Sequence, residues 1–440
     1  MLWKTTEYAA WGNVHKAKGQ IARPERAATL ERILAEAPAP AFGNRRSYGD
    51  SPLNDGGRAI DMTRMDKIIG FDPATGVVEA EAGVTLAELI RLFAAKGWIP
   101  AVVPGTGFAT IGGAIANDVH GKNHHVDGSF GAHVLAITLQ SAGKRVTATP
   151  ERLKTLFRAT LGGIGQTGVI VSAKLQMKRI PGAAMRVSER RIMSWKDHID
   201  ALEGSTATYA VSWIDAQAKG ATMGRGILEE AELTDATPPG PSRAKSVPVA
   251  IGLFSNSLFA RAFNEVYFRR VPEAGRTSVK RLEEFFFPLD KVHAMNRLYG
   301  KGGFHQFQCV VPPDQTEALG QMMSKIARSG LGSPLAVLKR MGPFRAGMLS
   351  FPTEGYTLAV DFPNRTRAVK LIEELEAMTA AAGGRLYLAK DSLAPGDTIK
   401  AMYPEWQAWA REAAKADPDG DLMTNMVRRL DLRTAAETTQ

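Results

Sequence analysis

PGTGFATIGGAIANDVHGKNHHVDGSFG, from Pro104 to Gly131, holds seven glycines, a small-residue run from Ile111 to Ala116, and then His120, Gly121, Lys122, Asn123, His124 and His125. Such a composition leaves backbone amides uncovered by side chains and suits a phosphate-bearing ligand. Upstream, AFGNRRSYGDSPLN (Ala41 to Asn54) has the same character, with Gly43, Gly49, two arginines and no large aliphatic residue between Phe42 and Leu53. Two such loops, about sixty residues apart, can grip a pyrophosphate from two sides. Neither glycine pattern is a Rossmann fingerprint. Gly105 and Gly107 are followed by Thr110 where the third glycine should stand. Gly163, Gly165 and Gly168 match G-x-G-x-x-G, but a helix precedes them and a strand follows, the reverse of what the fingerprint requires.

The remaining composition narrows the class. At 440 residues with 44% hydrophobic residues, the chain can bury the cores of two domains. Its net charge of +10 favours anionic partners such as phosphates and lipid headgroups. Nucleic acid is the other polyanion to weigh, but no aromatic residues interleave with a Lys/Arg stripe. The single cysteine, Cys309, excludes an intramolecular disulfide framework and a cysteine-only zinc site, and is compatible with a reducing compartment. The first residues lack the apolar core of a signal peptide, and no run approaches the ~20 apolar residues of a membrane span. Any membrane contact is therefore expected to be peripheral. His120, His124 and His125 stand in a glycine-rich loop without a neighbouring cysteine or paired carboxylate, so no metal site is expected.

Periodicity places these loops among regular elements. Residues 1–20 read as an arm packed on the first domain. Glu25 to Ala37 is a short amphipathic helix, and Ala59 to Met62 and Val77 to Ala82 are strands. Thr85 to Lys96 is a helix with Thr85 as N-cap, Glu88 completing a capping box and Gly97 closing it. His133 to Ser141 and Arg145 to Ala148 form a hairpin, Glu151 to Leu161 a helix and Val169 to Met177 a strand. From about residue 182, Thr208 to Ile214, Phe304 to Val311 and Tyr356 to Phe362 suggest one antiparallel sheet. Glu232 to Val247, rich in proline and small residues, reads as a mobile surface loop over the substrate entrance. Thr366 to Ala382 is a helix closed by Gly383 and Gly384. On strand 304–311, Gln306 and Gln308 project from one face, where two amides can bind a sugar, and Phe307 and Cys309 from the other.

Both glycine-rich loops, in this order and spacing, resemble the flavin-binding domain of the vanillyl-alcohol-oxidase class of FAD oxidoreductases. Within that class HGKNHH, the YPLD-like FPLD at 287–290, QFQ, VDFP and GGRLYLAKDS resemble the decaprenylphosphoryl-β-D-ribose 2-oxidases, and the similarity covers almost the whole chain. The resemblance implies a two-domain α+β fold: an FAD-binding domain at 1–181, an antiparallel-sheet substrate domain at 182–384, and a segment at 385–440 returning to the first. It implies cofactor contacts from Phe42, Gly43, Asn44, Arg45, Arg46, Ser47, Tyr48, Gly49, Asp50 and Ser51, then Gly105, Thr110, Ile111, Gly112 and Gly113, and further from Asn117, Asp118, Val119, His120, Ile170 and Tyr387. Many members of the class attach the flavin through a histidine in the first loop; Tyr48 cannot form that bond, so FAD is expected to be held non-covalently.

For chemistry the resemblance implies Lys390, Tyr48 and His120, with Lys122, Gln306, Gln308, Lys339 and Ala359 at the substrate. Strand parity sets Tyr387 and Lys390 on opposite faces, so both reach the flavin only if the strand ends or turns at Ala389 to Asp391. His124 and His125 are expected to hold their loop by hydrogen bonds. Mycobacterial members carry a cysteine where Ala359 stands, which hydride transfer does not need. The reaction implied is oxidation of the 2-hydroxyl of a polyprenyl-phosphoryl ribose to a keto sugar, the first half of epimerisation to the arabinose form for the cell envelope. Its implied partners are a separate NAD(P)-dependent keto-reductase and a membrane surface, touched from the cytoplasmic or the periplasmic side, without nucleic acid. The competing reading is a soluble aldonolactone or alditol oxidase of the same class.

Overall fold

The computed structural model describes residues 3–141, 143–240, 245–247, 249 and 252–433. The first residues form a hairpin rather than an arm. β1 (Trp3–Ala9) and β2 (Lys16–Ala22) pair antiparallel, and β3 (Ala41–Phe42) and β4 (Arg58–Asp61) complete a sheet of order β1-β2-β4-β3. The inward positions of β2 are Ala17, Gly19 and Ala22, too small to leave the alternation by which a strand is read. Between β2 and β3, α1 (Ala27–Glu36) buries Leu30, Ile33 and Leu34.

A second sheet has the order β5-β6-β10-β8-β9, with β7 paired to β10. Its strands are β5 (Ile68–Asp72), β6 (Val77–Glu81), β7 (Trp98–Pro100), β8 (Val134–Ser141), β9 (Lys144–Ala148) and β10 (Val169–Arg179). Packed against it, α2 (Leu86–Phe93) opens on the expected capping box: the Thr85 hydroxyl accepts from the Glu88 amide, and Glu88 accepts from the Thr85 amide at 2.8 Å. α3 (Ile111–Ala116) is the small-residue run, capped by the Thr110 hydroxyl, and α4 (His124–Asp127) follows. α5 (Lys154–Thr160) starts later than periodicity predicts because Leu153 is left-handed, φ 55°. Gly163, Gly165 and Gly168 lie between α5 and β10, in the helix-then-strand order that rules out a dinucleotide turn.

The second domain is built on an eight-stranded sheet, β15-β11-β13-β12-β18-β19-β17-β20, antiparallel at every pairing. In chain order the domain holds β11 (Ala184–Ile192), β12 (Tyr209–Ile214), β13 (Gly226–Thr234), β14 (Lys245–Ser246), β15 (Arg276–Arg281), β16 (Val292–His293), β17 (Phe304–Val311), β18 (Ala336–Met341), β19 (Gly355–Pro363) and β20 (Arg385–Leu386); β14 and β16 form a separate parallel pair. Its helices are α6 (Trp195–Glu203), α7 (Ser257–Arg269), α8 (Leu282–Phe286), α9 (Thr316–Ser329) and α10 (Thr366–Ala381). One face buries Phe307, Cys309, Leu358 and Val360 against Met322 and Ile326 of α9 and Leu371 and Leu375 of α10. Period-two alternation then sends Gln306, Gln308 and Ala359 to the other face.

The segment from Glu232 is not a loop throughout. Glu232, Leu233 and Thr234 are the end of β13, paired with β11, because their alternation continues that strand. Residues 241–244 of the same segment lie outside the described residues. Arg385 and Leu386 pair with β17, so the last strand of this sheet lies beyond residue 384. After it come α11 (Gly396–Met402), α12 (Trp406–Ala416) and α13 (Asn425–Arg429), and the Asn425 amide donates to the Leu53 carbonyl in the first glycine-rich loop.

Candidate active site

Between the second and third sheets lies a cavity of about 560 Å³, lined from both glycine-rich loops and from the open face of the eight-stranded sheet. Phe42 through Tyr48 and Ser51 form one side; Gly105, Thr110, Gly112, Gly113, Asn117, Val119 and His120 form the next, with Ile170 and Tyr387. The amides of Asn44, Arg45, Arg46 and Ser47 donate to no backbone carbonyl among the described residues. Gly43 packs so closely on Thr110 that a Cβ would collide with its hydroxyl, whereas a Cβ on Gly105 would meet nothing within 4 Å. The two loops are thus locked together while leaving their backbone open to a ligand. Arg46 is held between the rings of Trp11 and Phe108, its guanidinium carbon 4.4 and 4.5 Å from their centroids. Among the described residues its buried Nε has no hydrogen-bond partner, nor has the buried Oδ1 of Asn117. Free amides, an orphaned guanidinium donor and an orphaned amide acceptor fit a dinucleotide with a pyrophosphate and a polar ring system.

The opposite wall carries the ionisable groups. Lys339 donates to His120 Nδ1 at 3.0 Å, and the Gln308 side-chain amide lies 3.1 Å from His120 Nε2. Both neighbours present donors, and a neutral imidazole has one acceptor nitrogen, so His120 accepts from only one of the two at a time. Burial, and then the charge of Lys339, holds the His120 pKa well below its ordinary value. Burial pushes Lys339 down to about 7, with the positive charges of Lys122 and Lys390 acting the same way. Lys390 sits 3.6 Å above the Tyr48 ring centroid. Burial lowers its pKa, opposed by the charge of Asp361. That carboxylate is fully buried and accepts from Tyr299 Oη at 2.6 Å and Gln306 Nε2 at 2.5 Å. The backbone turns after β20, the Lys390 and Asp391 amides both donating to the Tyr387 carbonyl, and this turn brings Tyr387 and Lys390 to one cavity.

Four residues expected at the cofactor do not line the cavity. Ile111 is fully buried in the core under the second sheet, because the first helical turn points its side chain inward. Asp118 is buried and accepts from Ser129 Oγ at 2.9 Å and the Gly131 amide at 2.8 Å, closing its own loop. Gly49 is pressed against the Asp391 carbonyl oxygen, where no Cβ fits. Asp50 is clasped by Arg429 at 2.9 and 2.8 Å. Lys122 reaches the cavity but is spent on Glu229 at 3.0 Å and the Phe285 carbonyl at 2.6 Å, so its charge is compensated within the protein. His124 Nδ1 accepts from the Gly342 amide, and His125 Nε2 lies 2.8 Å from the Ala207 carbonyl.

Several lining residues carried no sequence signal: Trp11, Trp213, Tyr267 and Arg270 come together only through tertiary contacts. Gly165 and Gly168 did carry one, since the glycine-rich stretch that fails as a Rossmann turn still supplies exposed backbone to the cavity. Cys309 is fully buried on the face opposite Gln306 and Gln308, and burial pushes its thiol up to about 12. A thiol-directed reagent should therefore leave the native protein unlabelled, as read by intact mass; stoichiometric labelling that a substrate analogue prevents would place Cys309 in the pocket instead.

Residues 20–149 match the FAD binding domain family model, and with the two-loop cradle and the sheet behind it they define an FAD-dependent oxidoreductase of the vanillyl-alcohol-oxidase class. The chain is 37% identical over 414 residues to decaprenylphosphoryl-beta-D-ribose oxidase of Mycolicibacterium smegmatis, covering 89% of each chain. It belongs to the decaprenylphosphoryl-β-D-ribose oxidase family. It is also 32% identical to an uncharacterized protein in the mprA 5' region of Streptomyces coelicolor, over 79% of this chain and all of that one. Similarity to D-arabinono-1,4-lactone oxidase of Yarrowia lipolytica is 27% and spans 27% of this chain and 23% of the relative.

Proposed function

We propose that the protein oxidises the ring 2-hydroxyl of a polyprenyl-phosphoryl ribose to the 2-keto sugar, with FAD held without a covalent bond. The observation that carries this reading is a pair of half-buried lysines, Lys339 and Lys390, that face one cavity and form no direct ion pair with a described carboxylate. Ammonium groups drawn partly out of water without a direct counter-ion favour anionic ligands, Asp361 acting on Lys390 only at longer range. A phosphorylated sugar supplies one anion, and the cofactor supplies another as it is reduced. FAD, when bound, accepts hydride from the carbinol carbon. Lys339 is assigned to the substrate phosphate, Gln306 and Gln308 to sugar hydroxyls, and Lys390 to the negative charge that grows during transfer. Asp361 fixes the Gln306 amide by accepting from its Nε2, which turns the amide oxygen away from that carboxylate.

The lactone-oxidase reading is weaker, because that similarity covers only 27% of the chain whereas the ribose-oxidase similarity covers 89%. No helix among the described residues is long and apolar enough to cross a membrane. A lipid-linked substrate would then be met at a membrane surface by peripheral attachment, helped by the basic net charge. The keto sugar would pass to a separate NAD(P)-dependent reductase that completes the epimerisation.

Absorbance of the FAD-loaded protein, recorded anaerobically before and after addition of a prenyl-phosphoryl ribose, tests the reaction: bleaching of the flavin bands is expected, and unchanged bands would overturn it. Acid precipitation tests the linkage. The yellow colour should leave with the supernatant, because Tyr48 offers no imidazole, and colour retained in the pellet would contradict the assignment.

A further inference from the structure

The far wall of the cavity is built in register. Gln308 pairs with Ala359, Ala359 with Val337, Val337 with Trp213 and Trp213 with Ile227, each on the next strand, and all five line the cavity. With strands ~4.8 Å apart, the row runs roughly 19 Å across the sheet. Of its five side chains only Gln308 and Trp213 carry a polar atom. The indole N–H of Trp213 is taken by the Pro334 carbonyl at 2.8 Å, which pins the ring.

From Trp213 the apolar surface continues onto α7. The rings of Trp213 and Tyr267 lie 4.8 Å apart, Tyr267 and Phe263 5.7 Å, and Phe263 and Phe259 6.2 Å. Three aromatic residues spaced four apart stand along one side of a helix. Beside them Leu258 and Val266 are each 73% exposed.

Charge is graded along this path. Val337 and Lys339 project from one face of β18, and the Lys339 ammonium reaches His120, whose other ring nitrogen meets Gln308, so a cation without a direct carboxylate partner stands at the Gln308 end. Toward the other end the cations already have partners, Lys122 with Glu229 at 3.0 Å and Arg270 with Glu189 at 2.9 Å. One end of the path is set for an anion and the other for hydrocarbon.

We infer that the cross-strand row and the ring ladder of α7 form a binding track for the linear polyprenyl tail, entering at Gln308 and leaving the molecule over Leu258 and Val266. This rests on the proposed lipid-linked substrate, but it concerns the tail and not the sugar. An unbroken apolar row ending on exposed aliphatic residues is of no use to a free sugar, and it gives a chain of methyl-branched units continuous contact.

Isothermal titration of the FAD-loaded protein with two sugar-free probes, a long polyprenyl phosphate and geranyl phosphate, tests the track. The long probe should bind at least ~10-fold more tightly, since every further buried methylene adds to affinity. Trp213→Ala and Phe263→Ser should each bring the ratio of the two Kd values to within ~3-fold of one, most of the loss falling on the long probe. The Phe263 ring is only partly buried, so its replacement carries the test if Trp213→Ala does not fold. Equal affinity of the wild-type protein for both probes, or a chain-length preference that survives in a folded variant, would overturn the inference. Failure of the ribose-oxidation reading is distinct: it would appear as unbleached flavin with prenyl-phosphoryl ribose while the preference for the long phosphate persisted.

Discussion

Lys390→Ala slows flavin reduction by ~10²-fold or more, with a smaller loss of FAD affinity, by analogy with removal of one preorganised donor. A factor of that size is about 2.7 kcal/mol of barrier. The expectation rests on where the ammonium is held. It lies over the Tyr48 ring at 3.6 Å in the cavity wall, while the neighbouring Asp391, with which a structural lysine would pair, is bound to Arg429 at 2.8 Å. A lysine serving only as a surface ion pair would contribute about 0 to 1 kcal/mol of stability and nothing to the rate. Burial lowers the Lys390 pKa, so its charged form is depleted as the pH rises. The wild-type reduction rate should accordingly decline toward alkaline pH, and Lys390→Arg, whose guanidinium does not deprotonate, should flatten that decline. Anaerobic stopped-flow on FAD-loaded protein measures both effects. A rate for Lys390→Ala within a few-fold of wild type would remove Lys390 from the chemistry.

Arg429→Ala should be the most destabilising single truncation near the site, costing ~3–5 kcal/mol, because it strands two buried carboxylates. Asp50 is 3% exposed and Asp391 is 7% exposed, and Arg429 meets both while also donating to the Ala394 carbonyl at 2.8 Å. Arg429→Lys should recover only part of the loss, since one ammonium cannot reproduce the fork that holds Asp50 through two nitrogens. Equilibrium urea unfolding followed by far-ultraviolet circular dichroism reads the difference. An unshifted midpoint in Arg429→Ala would mean that the clasp contributes nothing to the fold.

Local signals were legible in the sequence and non-local ones were not. The capping box of α2 is written in Thr85 and Glu88, and the opposite faces of Gln306 and Phe307 follow from the two-residue period of a strand. The hairpin of β1 and β2 was hidden because alanine and glycine face its core. Lys122 reads as a free cation until the fold brings Glu229, 107 positions away, to its ammonium. The pairing of Gln306 with Asp361 depends on the register of β17 against β19, which no local pattern encodes. Gly165 and Gly168 show the remaining limit: excluding one motif does not tell what else the same exposed backbone lines.

The clasp between Asp50 and Arg429 joins residues 379 positions apart. At ~5–20 residues per second of synthesis, the first cofactor loop would wait roughly 20 to 80 s on the ribosome before its fastener emerges. Both amino-terminal sheets can be complete in that interval, with the first loop already packed on the second and tied to Trp11 but still without its carboxy-terminal fastener. The clasp is then a late event in the life of the chain, and a messenger cut short between codons 131 and 429 would yield a polypeptide that carries both loops without the Arg429 latch on Asp50.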